Sequence, residues 1–191
     1  MISATDILRR EHDAILRMLD ATEEVVHRLD AGNAVAPRVL EGLLEFFRLF
    51  ADRCHHGKEE DLLFPKLHEK GMPREMGPIG VMLHEHEQGR AFVREMAQAA
   101  ADYATSQPQA AARWTAAASG YASLLREHIY EENNILFVMA EQLLTPEEQR
   151  QLSAQFEKVE AEKMGEGTHE RLHALMEQLV AEISRARVSA R

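Results

Sequence analysis

Residues 55–65 read HHGKEEDLLFP. Two adjacent histidines are followed, four positions on, by two adjacent glutamates, so His55 with Glu59, or His56 with Glu60, sits one helical turn apart. On an α-helix, residues i and i+4 differ by about 40° in direction, so either pair would project from one face. Sliding the chain along itself selects between them. CHHGKEEDLLF at 54–64 aligns with EHIYEENNILF at 127–137, an offset of 73. His55 falls on His128 and Glu59 on Glu132, whereas His56 falls on Ile129 and Glu60 on Asn133. The shared pattern H-x-x-x-E-x-x-[LI]-L-F selects His55 and Glu59 and leaves His56 and Glu60 as bystanders on the next face. A second echo precedes each copy: Glu11-His12-Asp13 matches Glu85-His86-Glu87, with His12 43 residues before His55 and His86 42 before His128.

The duplicated unit is therefore a pair of helices. Gly and Pro are sparse and fall between long amphipathic stretches, and no stretch alternates with a period of two for long enough to argue a sheet. Helices are expected over residues 3–31, with Ser3 and Asp6 as a capping box, and from Pro37 to just before Gly71, with Pro65 kinking or ending the second early. Two more are expected over 79–105 and 108–144. Thr145-Pro146-Glu147-Glu148 caps a fifth, to about Met164, and Gly165 and Gly167 separate it from a last helix over 168–187. The expected fold is all-α: an up-down-up-down four-helix bundle over residues 1–144, with a C-terminal helical extension over 145–191 that packs on the bundle or helps form a homodimer.

Composition narrows the function classes. The chain of 191 residues carries a net charge of −10, which disfavours nucleic acid and anionic membrane surfaces as partners. The first residues, MISATDILRREHDAIL, place charge where a signal peptide needs an apolar run, and no stretch spans a membrane, so a cytoplasmic location is expected. Cys54, the single cysteine, forms no intrachain disulfide and reads as a small buried residue rather than a redox thiol.

Histidine is the unusual count, at ten. His12 continues the apolar stripe Leu8, Ile15, Leu19; His55 and Glu59 continue Phe47, Ala51, Leu62; His86 continues Ile79, Met82, Val93; His128 and Glu132 continue Tyr121, Leu125, Ile135, Met139. All six polar groups would point into an apolar interior, where an uncompensated carboxylate costs several kcal/mol. A pair of cations, each carboxylate bridging both, removes that cost. Imidazole and carboxylate without thiolate disfavour Cu(I) and Fe–S clusters, and four histidines disfavour Mg and Ca. Two iron ions, oxo- or hydroxo-bridged, lead, with manganese or zinc as alternatives. Six ligands shared by two metals leave positions for a small diatomic or peroxide ligand.

With EHD around His12, HHGKEEDLLFP, PIGVMLHEHE and HIYEENNILF in hand, the chain resembles the hemerythrin-like HHE cation-binding family over about residues 3–144. The last two motifs are also similar to the di-iron domain of iron–sulfur cluster repair proteins. The resemblance implies His12, His55, Glu59, His86, His128 and Glu132 as metal ligands, with both Glu as bridges. It implies reactions with O2, NO or peroxide, as in oxidative or nitrosative stress. Two departures argue against reversible oxygen carriage: carriers place a second His four residues from the one on the third helix, where this chain has Met82 and Arg90, and an Asp on the fourth helix, where it has Asn133. The repair proteins also carry a cysteine-containing N-terminal segment, whereas MISATDILRREHD opens on the first bundle helix, so a repair role by that route is not expected.

Outside the repeat, Glu24–His27, Glu166–His169 and Glu170–His173 read E-x-x-H and are assigned to chance or surface pairing. His169 or Glu166 would become a further ligand or a lid if the last helix crosses the bundle mouth. Tyr121 is expected in the core with a satisfied hydroxyl, the alternative being a donor to a metal-bound oxygen species. His56, His68 and His84 are placed at the surface or in a second layer. The leading function is redox handling of small oxidants; the alternatives are oxygen or redox sensing without turnover, and iron buffering.

Overall fold

Ser3 opens the first helix, α1 (Ala4–Asp30), with a capping box: its hydroxyl accepts from the Asp6 N–H, and the Asp6 carboxylate accepts from the Ser3 N–H. The computed structural model describes residues 2–160, 162, 165 and 167–189. Five further helices follow. The second, α2 (37–69), starts with Pro37 in its first turn, winds as α over Pro37–Phe46, as π over Phe47–His56 and Glu59–Leu63, and returns to α over Phe64–Glu69. Winding continues through Pro65, so this proline does not end the helix early. The others are α3 (Gly77–Ala104), α4 (110–143), α5 (Pro146–Val159) and α6 (Thr168–Ser189). Within α4 a π turn, Glu132–Leu136, occupies the position that Glu59–Leu63 holds in α2. All regular structure among the described residues is helical, and no helix there is long and apolar enough to cross a membrane.

The π turns correct one expectation. A turn closed by i→i+5 bonds takes up an extra residue, so the inward stripe steps on by one. Leu63 and Leu136 are fully buried, while Leu62 is half-buried and Ile135 and Met139 are 48% and 36% exposed. A strict 3.6-residue period instead ran the stripe through Leu62, Ile135 and Met139.

Packing places α1 against α2 and α4, and α3 against α2 and α4. The interior divides into two apolar clusters. One holds Ile15, Leu19, Phe47, Phe50, Val93, Tyr121 and Leu125; the other holds Leu8, Leu63, Phe64, Met82, Leu136 and Phe137. On every long helix the histidine or His–Glu pair lies between a residue of one cluster and a residue of the other. The polar groups therefore form a single layer between two apolar halves.

α5 and α6 lie against α1 and α2. Thr145 and Glu148 form the expected capping box at the start of α5, and Gln149 Oε1 accepts from the otherwise unpaired N–H of Ala4, at 3.0 Å, at the start of α1. α6 seats Leu179 on Gly42 of α2, where a Cβ would come within 3.1 Å of both Leu179 methyls. The π register has a direct test in urea denaturation. Leu136→Ala is expected to cost about 2–5 kcal/mol, and Met139→Lys less than about 0.5 kcal/mol; comparable losses would contradict the shifted stripe.

Candidate metal centre

His12, His55, His86 and His128 are all about 1% exposed, and each is held the same way. One ring nitrogen, Nδ1, meets an oxygen on another helix: Asn133 Oδ1 for His12 (3.0 Å), Glu11 Oε2 for His55 (2.9 Å), Glu60 Oε1 for His86 (2.6 Å) and Glu85 Oε2 for His128 (2.8 Å). With Nδ1 turned to these outer partners, all four rings aim Nε2 at the interior, where it has no hydrogen-bond partner. The partners follow the duplication. Glu11 and Glu85 precede the histidines of α1 and α3 and hold those of α2 and α4. Glu60 and Asn133 follow the glutamates of α2 and α4 and hold the histidines of α3 and α1. Phe64 and Phe137, also equivalent in the repeat, lie flat against His86 (5.9 Å between ring centres) and His12 (5.5 Å).

Glu59 and Glu132, both fully buried, occupy the middle. Glu59 sets its two oxygens 3.5 Å from His55 Nε2 and 3.5 Å from His86 Nε2. Glu132 Oε2 lies 3.1 Å from His12 Nε2 and 3.3 Å from His128 Nε2. Each carboxylate thus spans two imidazoles from different helices. Potential ligand atoms of His12, His55, Glu59 and Glu132 lie within 4.8 Å of one another, and so do those of His56, Glu59, His86 and His128. The two quartets share Glu59.

Electrostatics shows what this layer lacks. Burial and the nearby Glu132 raise the Glu59 carboxyl well above its usual range. Burial acts on Glu132 in the same sense, but His128 and His12 outweigh it and keep Glu132 ionised. Burial also opposes a charge on His128, yet Glu132 and Glu85 raise that imidazole to about 9. Burial and His12 push His55 down to about 3. The four Nε2 atoms and all four carboxylate oxygens have no satisfactory hydrogen-bond partner. Orphaned polar atoms at this density are costly, and cations bound among them would satisfy the whole set. The residues present therefore fit a metal pair.

The six sequence-derived site residues converge in one layer. The bystander reading of His56 and Glu60 is overturned. His56 is 3% exposed, stacks on His86 with ring centres 3.8 Å apart, and has no hydrogen bond at either nitrogen. The π winding of Phe47–His56 allows consecutive histidines to turn inward together. Glu60 is the anchor of His86. Glu11 and Glu85 were legible as the repeated residue before each lone histidine, but an α-helical wheel does not reveal that they support a histidine on the neighbouring helix. His68 and His84 are exposed as expected, and Cys54 is buried with its thiol pushed up to about 12 by burial. Tyr121 is buried, as expected, and no hydrogen bond to its hydroxyl forms among the described residues. His169 stands 4.0 Å from Glu11, behind His55, and His173 packs on Phe50. Glu166 lies outside the described residues.

One half of the site is further braced by α5. Lys58 is fully buried and pairs with both Glu11 and Glu160. Burial disfavours the Glu11 charge, but the His55 hydrogen bond and Lys58 hold its carboxyl at about 2. Lys58→Met would leave a buried carboxylate short of its counter-charge, with an expected loss of about 3–5 kcal/mol. Lys58→Met with Glu11→Gln should recover part of that loss in denaturant titration; no recovery would show that the stem of Lys58, rather than its charge, matters.

Comparison with known proteins agrees with this geometry. The iron-sulfur cluster repair protein YtfE of Escherichia coli O81 (strain ED1a) is 32% identical over 139 residues, covering 70% of this chain and 63% of the relative. The Escherichia fergusonii protein of the same name is 31% identical over the same shares. The chain thus spans less than two thirds of the length of these relatives. No solved structure matches. The model of the hemerythrin HHE cation binding domain matches residues 3–140, which include all six converging residues, and the chain belongs to that family.

Proposed function

We propose that this chain is a non-haem di-iron protein that binds or reacts with small oxidants, namely O2, NO or peroxide, in an oxidative or nitrosative stress response. His12, His55, Glu59, His86, His128 and Glu132 would hold the two irons, with Glu59 and Glu132 as the carboxylates shared between them. The observation that carries the reading is the set of four buried imidazoles, each backed through Nδ1 and bare at Nε2, around two buried carboxylates with no partner of their own. The name of the repair-protein relatives supports iron over manganese or zinc.

Each long helix passes from one apolar cluster to the other through the polar layer, α1 and α3 in one sense, α2 and α4 in the opposite sense. That alternation supports an up-down-up-down bundle over 1–144, with 145–191 as a helical extension packed on it.

Bound iron would supply a reversible change of valence and open coordination positions for a small ligand. The chain's own residues prepare for it. The Nδ1 partners fix the tautomer and ring direction of each histidine and make Nε2 a better donor. With cations bound in the layer, Glu59 would give up its proton and, with Glu132, supply two negative charges at the centre. Phe64 and Phe137 keep water from the His86 and His12 faces.

Two measurements test this. Aerobically isolated protein should contain two irons per chain and show the optical bands of a coupled diferric pair; His55→Ala with Glu59→Ala should lose them, and unchanged metal content in that variant would overturn the ligand assignment. Rapid mixing of the reduced protein with O2, NO and peroxide separates turnover from a stable adduct, and no spectral change with any of the three removes the oxidant reading. The backing carboxylates have their own signature: Glu85→Ala is expected to weaken metal retention against a chelator by about 10–100-fold, whereas Glu41→Ala, at an exposed position, should leave it unchanged.

A further inference from the structure

A cavity of about 190 Å3 opens beside the polar layer, between α2, α3 and α4. Its walls carry three guanidiniums, Arg48, Arg90 and Arg94, against a single carboxylate, Asp52. This is a local positive excess on a chain of net charge −10. Arg90 is already committed to Asp52 (2.8 Å), Glu60 (2.7 Å) and Glu87 (2.6 Å). Arg48 and Arg94 have no ion pair or hydrogen bond among the described residues, whereas Arg17, Arg38 and Arg126 each pair with a carboxylate.

The inner wall is also short of acceptors. His56 lines it, 3% exposed, with neither ring nitrogen hydrogen-bonded; Asp52 approaches Nδ1 only to 3.5 Å. In either tautomer a neutral imidazole offers one N–H. Tyr121 lines it as well, 2% exposed, and its hydroxyl makes no hydrogen bond to another described residue. Gly89 keeps the space open. Glycine inside a helix costs about 1 kcal/mol relative to Ala. Here a Cβ would sit 3.5 Å from Tyr121 Cε2, an ordinary contact, so a methyl fits and a longer side chain would enter the cavity.

Donors without acceptors, surplus positive charge and an unfilled volume call for one kind of occupant. We propose that this cavity binds a small inorganic oxyanion, gripped by Arg48 and Arg94 at the mouth and by His56 and Tyr121 inside. The stack of His56 on His86 puts the anion one imidazole away from the candidate metal pair, beside it rather than on it. His56 also belongs to one of the two candidate metal quartets, so the cavity and the polar layer share that wall.

Calorimetric titration of the full-length protein as isolated, in chloride-free buffer, with sodium nitrite and separately with sodium phosphate, tests this. Saturable one-to-one binding of at least one of them is expected. Arg48→Gln with Arg94→Gln should weaken it about tenfold or more, and Gly89→Leu should abolish it, both at unchanged metal content. Tyr121→Phe, which removes only the hydroxyl, should weaken binding and serves if Gly89→Leu does not fold. Arg10→Gln with Arg74→Gln removes the same charge from exposed, unpaired arginines elsewhere and should leave the affinity intact. Absence of binding by both anions overturns the proposal. So does undiminished affinity in the Arg48/Arg94 variant, which would put the anion on the metal or elsewhere, or an equal loss in the Arg10/Arg74 control, which would indicate diffuse charge alone.

Discussion

The structure is organised around the burial of two carboxylates. Glu59 and Glu132 lie at the centre of an otherwise apolar bundle, at a depth where an unpaired charge costs several kcal/mol. What surrounds them answers that cost in layers. Four imidazoles face them, four hydrogen-bond acceptors hold those imidazoles, and two phenylalanines cover two of the rings. The apolar clusters above and below make the layer dry, which raises the cost of leaving it unneutralised and strengthens whatever neutralises it.

Duplication explains most of this order, and the departures from it are where the two halves acquire different properties. Glu60 backs one histidine with a charge, and Asn133 backs its counterpart with a neutral amide. His56 faces inward where Ile129 stands in the other copy. Lys58 ties the first half to Glu160, just past the end of α5, whereas the matching Glu131 has no such link among the described residues. Arg90 then organises the side of His56, joining Asp52 and Glu60 and thereby fixing both the backing of His86 and the wall of the neighbouring cavity. The halves share a pattern of inward histidine and glutamate but present different electrostatic surroundings.

The π turns connect local winding to the site. In α2 and α4 they begin at, or run up to, the inward histidines and glutamates themselves, and they move the inward stripe by one residue just beyond each glutamate. An ideal α-helix would present Leu62 and Ile135 to the core; the wider turn presents Leu63 and Leu136. The same winding brings His56 inside next to His55.

The sequence alone determined the helical class, the helix limits to within a few residues and the six polar residues that meet in the interior. Apolar periodicity, caps and a repeat are local or self-referential signals, and each can be read without knowing which helix lies beside which. The family followed from the same motifs. The backing of the histidines was decided only in three dimensions, because Glu11, Glu60, Glu85 and Asn133 each act on a histidine of another helix. So were the inward turn of His56, which depends on a winding that an α-helical wheel does not contain, and the arginine-lined cavity. Arg48, Arg90 and Arg94 read along the chain as ordinary surface charge. Packing of α2, α3 and α4 gathers them around one space and leaves two of them without a counter-ion among the described residues.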